Sequence, residues 1–130
     1  MPYFGSLLIS ALWFHEITTQ IPHEVHLAVP RNSAIPRIKY PPVRVFKYSD
    51  TSINAGVDEH LLDGTTVRIF SAPKTIADCF QRRRSVGLDV AIEALQMGLE
   101  TGKARPVDLE TYARTCRVER VMAPYMEALL

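Results

Sequence analysis

A chain of 130 residues, 47% hydrophobic and 22% charged, is long enough for one domain with a true core and has the composition of an ordinary globular protein. A formal net charge of only +1 argues against a free-standing, strongly basic DNA-binding domain, in which phosphate neutralisation drives affinity. No apolar run reaches the ~20 residues of a membrane span, and the opening MPYFGSLLISALWFHE lacks the positive n-region and small-residue cleavage site of a signal peptide.

Gly5 to Glu16 reads as a largely buried helix, with Leu8, Ile9, Leu12 and Trp13 on a broad apolar surface, and Thr18-Thr19-Gln20-Ile21-Pro22 ends it. Glu24 to Pro30 alternates as a strand, with Val25, Leu27 and Val29 on one side and Glu24, His26 and Ala28 on the other. Arg31 to Pro42, with Pro36, Pro41, Pro42 and several cations, is expected to be an exposed loop. Val43 to Tyr48 forms a second strand, and Asp50 to Gly56 a loop or one helical turn. Val57 to Leu62 and Thr65 to Ser71 flank Asp63-Gly64, a hairpin signal, and Val67 and Ile69 are expected to face the core.

Ser71 to Leu99 predicts two amphipathic helices joined at a glycine. Pro73 suits a first turn capped by Ser71 or Ala72, and Ile76, Ala77 and Phe80 share a face. Lys74, Asp78 and Arg82 align beside that face at four-residue steps. The helix runs into Arg82, Arg83 and Arg84, whose cations suit its negative end, and Gly87 is placed for a left-handed C-cap. Leu88, Ala91, Ile92, Leu95 and Leu99 form the next stripe, opposed by Asp89, Glu93, Gln96 and Glu100. Asp108 is the expected N-cap of a third helix with stripe Leu109, Tyr112, Ala113 and Cys116; Pro124 then either kinks a last helix or opens a new one. One helix, four strands and three to four helices, in that order, predict a single α+β domain with a small, mainly antiparallel sheet covered on one face.

Candidate chemistry is sparse. Cys79 and Cys116 fall on or beside apolar helical faces, as reduced buried thiols do. His23 and His26 would lie on opposite faces of a strand, and His15 and His60 lack partners at ligand spacing, so no metal site is expected. Asp58, Glu59 and Asp63 are read as a solvated turn, and the scattered Gly87, Gly98 and Gly102 make no phosphate loop, so no nucleotide cofactor is expected. The row Lys74, Asp78 and Arg82 is either a solvated ladder of ion pairs or a strip for partner recognition. Arg82, Arg83 and Arg84 are the densest charge in the chain; since they cannot all point one way, some should pair with acids on neighbouring helices. With Arg114, Arg117 and Arg120, spaced to line one face of the third helix, they could form a basic patch for nucleic acid or an acidic partner. His26, Arg44, Phe46, Tyr48, Arg68 and Phe70 fit a face packed under a helix better than an RNA-stacking platform.

The segment PKTIADCF, a basic stretch and GLDVAIEAL resemble the C-terminal domain of AbiEi-type antitoxins of type IV toxin–antitoxin (abortive infection) systems. The similarity continues in Ser10-Ala11-Leu12, His15, Thr18 to Pro22 and Glu24 to Arg31, and in Tyr112-Ala113-Arg114, Cys116-Arg117-Val118, Arg120-Val121-Met122 and Pro124-Tyr125. It covers the chain from about Ser6 onward, and the ordered series carries it. The resemblance implies a cytoplasmic, non-enzymatic module that counteracts a toxin of the nucleotidyltransferase fold, with or without a stable complex. It also implies repression of the module's own operon through an N-terminal winged helix. The chain enters the resembling domain almost at Met1, leaving no room for a winged helix of ~60–80 residues. Either the gene is truncated or DNA binding is supplied elsewhere, and any residual DNA contact would fall to the basic residues around Arg82 and Arg114. The alternative from another class is a small nuclease acting through Asp58, Glu59 and Asp63.

Overall fold

The computed structural model describes residues 4–6, 8–33, 42–62 and 64–130. Strand β1 (Phe4–Ser6) leads into α1 (Leu8–Phe14), followed by β2 (Val25–Pro30), β3 (Val43–Tyr48), the single turn α2 (Asp50–Ile53), β4 (Val57–Leu62) and β5 (Thr65–Phe70). Helices α3 (Ala72–Gln81), α4 (Arg83–Val86), α5 (Leu88–Thr101), α6 (Pro106–Thr115) and α7 (Glu119–Leu129) complete an α+β architecture.

The sheet departs from the expected four mainly antiparallel strands. Its order is β3-β2-β1-β5-β4, with β2 and β3 parallel, β1 parallel to β5, and antiparallel pairing only for β1 with β2 and β4 with β5. Two differences account for this: β1, three residues at the centre of the sheet, is too short to show a two-residue period, and β2 pairs in parallel with β3, from which twelve residues of sequence separate it. The β4–β5 hairpin has the expected position, with Leu62 opposite Thr65 and Gly64 at φ 78°; Asp63 lies outside the described residues, as do Pro36 and Pro41 of the expected loop. On the sheet, the face expected to be packed under a helix is packed at its apolar positions: His26, Ala28, Phe46, Tyr48 and Phe70 are buried, whereas Arg44 and Arg68 of the same face are exposed. The opposite face, expected to hold the core side of β5, buries Val29 and Ile69 but leaves Val25, Leu27, Val43, Val45 and Val67 half-exposed. Larger aromatic side chains offer the helices more apolar area than the valines do.

Helix ends also differ from the sequence reading for local reasons. The chain breaks at Arg82 (φ −107°, ψ 31°), so the basic run forms the separate turn α4, and Gly87 adopts φ 98°, ψ 133° instead of a left-handed cap. Helix α6 begins at Pro106, which puts Asp108 in its first turn, where it accepts from Arg105 Nε at 3.0 Å. It stops in a Schellman motif: Val118 N–H donates to Ala113 O at 2.8 Å, Arg117 N–H to Arg114 O at 3.1 Å, and Arg117 takes φ 59°. Glu16 (φ 59°) ends α1 the same way, with Ile17 N–H on Leu12 O at 3.1 Å. Pro124 lies inside α7.

The segment after α1 is pinned to α5. Glu93 Oε1 accepts from Thr19 N–H at 2.9 Å and from Thr18 Oγ1 at 3.3 Å, and Oε2 accepts from Thr19 Oγ1 at 2.9 Å. The Thr19 amide, helped by the two hydroxyls, outweighs the opposing effect of partial burial and holds the Glu93 carboxyl pKa below the usual range. A depressed folded-state pKa stabilises above the ordinary carboxyl pKa, and that contribution is lost as pH falls through the depressed value. Glu93→Gln is therefore expected to cost about 1 kcal/mol at neutral pH, because the site is solvent-screened. Its urea midpoint should converge on that of the unaltered protein as pH is lowered through the acid range.

Candidate functional site

Helix α3 is the centre of the molecule. Ser71 Oγ accepts from Lys74 N–H at 3.4 Å, Pro73 occupies the first turn, and Thr75 Oγ1 donates to Phe70 O at 3.2 Å, which fixes how the helix leaves β5. It packs against α1, α5, α6 and α7 on its helical sides and against the aromatic sheet face through Lys74 and Arg82, so eight of its ten residues are buried. A helix enclosed on every side has no wet face, and its polar row must go inside.

That is where Lys74 and Asp78 are found. Both are 0% exposed, and Lys74 Nζ donates to Asp78 Oδ2 at 2.9 Å. The expected solvated ladder or recognition strip is therefore corrected: these two residues form a closed ion pair in the core. Lys74 Nζ also sits 3.8 Å from the centroid of Phe70 and 5.2 Å from that of Tyr48, whose ring faces offset part of its lost hydration. The other Asp78 oxygen, Oδ1, accepts from Cys116 Sγ at 3.3 Å. Burial raises the Asp78 carboxyl pKa, and the adjacent ammonium pulls it back. Burial likewise raises the Cys79, Cys116 and Tyr48 pKa values, with Asp78 adding to each, so neither thiol is poised as a thiolate.

The third member of the row reaches the surface. Arg82 lies 4.3 Å from the Tyr48 centroid and 5.3 Å from that of Phe46, and its Nη2 donates to Lys47 O at 2.9 Å. Arg44 Cζ approaches the same Phe46 ring at 5.0 Å. Arg83 Nη1 donates to Phe80 O at 2.8 Å, at the negative end of α3, and Arg84 is exposed. Arg82 and Arg83 thus bind ring faces and backbone carbonyls, where pairing of some of the triplet with acids was expected. Edge strand β3 and the α3–α4 junction bring Arg44, Lys47 and Arg82 together around the Phe46 and Tyr48 rings as a cationic edge, with Arg83 and Arg84 following Arg82 along the chain. The sequence already assigns Arg44 to this sheet face; Lys47 was missed, and its signal is a cation between the aromatic pair Phe46 and Tyr48 on a strand.

Arg114, Arg117 and Arg120 do not share a helix face, because the Schellman end of α6 separates them: Arg114 is on α6, Arg117 is its left-handed residue, and Arg120 is on α7. Arg114 instead borders a groove with Glu110, Glu119 and Glu127.

His15, His26 and His60 make contacts within the fold, and His23 is exposed. His15 Nε2–H donates to Phe70 O at 2.8 Å, and its ring packs edgewise on Phe14, which also contacts His60. His26 is buried, 3.5 Å from Glu24 Oε1, and burial lowers its pKa. Asp58 and Glu59 are exposed on edge strand β4. Among the described residues, no three His, Cys, Asp or Glu side chains converge to hold a metal ion, and no helix is long and apolar enough to cross a membrane. No family model matches the chain, and no curated protein is significantly similar to it.

Proposed function

We propose that this chain is the antitoxin module of a type IV toxin–antitoxin system, an AbiEi-like domain that counteracts a nucleotidyltransferase-fold toxin in the cytoplasm without catalysing a reaction. The ordered run of AbiEi-like segments along the chain supports this reading. The geometric observation that best fits it is the division of charge along α3: Lys74 and Asp78 are sealed in the core, whereas the half-buried Arg82 emerges at the C-terminal end beside the exposed Arg44 and Lys47. A surface of this kind meets anionic macromolecules and needs no reaction centre. A stable complex with the toxin is not required.

Co-expression with the neighbouring toxin gene tests the proposal. The intact chain should restore growth. A variant carrying Arg44→Glu, Lys47→Glu and Arg84→Glu, with unchanged circular dichroism, should lower survival by about tenfold or more. Undiminished toxicity beside the well-folded unaltered chain would refute the antitoxin reading. Metal-dependent nucleic-acid cleavage that disappears with Asp58, Glu59 and Asp63 variants would replace it with the nuclease alternative.

A further inference from the structure

The last two helices leave an open groove of about 360 Å³ between them. One wall is Glu110, Ala113 and Arg114 of α6, and the other is Glu119, Ala123, Met126 and Glu127 of α7, each set repeating at three- and four-residue steps along one helical face. Alanines stand on both sides, Ala113 buried at the base and Ala123 exposed on the α7 wall. Met126 forms apolar floor, and Leu130, 67% exposed, extends it at one end. The rim holds three carboxylates against one guanidinium, the reverse of a chain that is +1 overall. Among the described residues, Glu110, Glu119 and Glu127 take part in no ion pair.

We propose that this groove docks a cationic amphipathic helix of a partner protein. One leucine- or phenylalanine-sized side chain would seat between Ala113 and Ala123, with lysines or arginines one turn to either side against Glu119 and Glu127. The groove, open and at the small end of the range for ligand pockets, is of a size to take one or two anchoring side chains of a helix. Its sign selects among partners: a phosphate backbone or an anionic bilayer is repelled by the rim, and an acidic helix would leave the three carboxylates facing like charges. The inference does not depend on the antitoxin reading and concerns a different face from the cationic edge.

The test uses the full chain and a short fluorescein-labelled peptide of alanine and lysine with one leucine stripe. A control peptide carries glutamate in place of every lysine. Anisotropy should show the lysine peptide binding with a Kd on the order of 10–100 μM and weakening with salt, and amide shifts should concentrate on α6 and α7. Ala123→Trp, which fills the groove from an exposed wall, should weaken binding about tenfold, as should the surface pair Glu119→Gln and Glu127→Gln. Equal binding of the glutamate peptide, shifts centred elsewhere, or undiminished affinity in both variants would overturn the proposal. So would self-association of the chain that Ala123→Trp abolishes, since the occupant would then be a second copy.

Discussion

Asp78→Ala is expected to destabilise the protein by about 3–5 kcal/mol, enough to lower the melting temperature by on the order of 15 °C. The loss is larger than that of a typical ion pair because of what remains. Lys74 is 0% exposed and, among the described residues, its ammonium has Asp78 as its one carboxylate partner at 2.9 Å, so the variant leaves a buried cation facing the rings of Phe70 and Tyr48. Cys116 loses its acceptor at the same time. The double variant Lys74→Met with Asp78→Leu should recover most of the loss, since a buried pair replaced by apolar side chains of similar volume is often neutral or stabilising. Urea midpoints of the two single variants and the double variant give the coupling between the sites. Additive losses would mean that the two residues contribute independently and that the closed pair is the wrong description.

Gly56→Ala is expected to cost about 3 kcal/mol, from two sources that can be separated. Gly56 has φ 68°, where a Cβ is strained, and that Cβ would lie 2.6 Å from Lys74 Cβ and 3.0 Å from Tyr112 Cε1. Lys74 Cβ is the root of a buried helical side chain and has nowhere to go. Nor is Gly56 free to withdraw, because its carbonyl accepts from Ser71 N–H at 2.7 Å, at the cap of α3. Gly64 supplies the control: it has φ 78° but nothing within 4 Å of an added Cβ, so Gly64→Ala should show only the strain, about 1 kcal/mol. Thermal melts of the two variants therefore measure the overlap as their difference. Equal losses would show that Gly56 is kept for its dihedral angle alone and not for the passage of the lysine stem.

Much of this architecture was legible in the chain. The periods of β2 to β5, the Asp63-Gly64 turn and the Ser71-Ala72-Pro73 start of α3 are local signals, decided by residues a few positions apart, and those elements lie where these signals put them. The packing of Phe46, Tyr48 and Phe70 under a helix was legible too, because three large rings at alternate strand positions need cover. β1 was missed, since three residues carry no period and its place between β2 and β5 is set by strands far away in sequence. The arginines at 114, 117 and 120 read as one helical face only while α6 is assumed to continue; a left-handed residue that is not glycine gives no warning that it stops.

Taken alone, the order of residues determined the α+β class, most element positions and a largely neutral surface with one basic concentration, because propensity, capping and hydrophobic period act over a few residues. Tertiary structure decided which side of α3 is dry. The spacing of Lys74, Asp78 and Arg82 is the same whether the row faces water or rings, and only the sheet below and α6 beside it remove the solvent from the first two. Enclosure by distant segments turns a ladder of weak surface pairs into one buried pair and leaves Arg82 to mark where the row meets water.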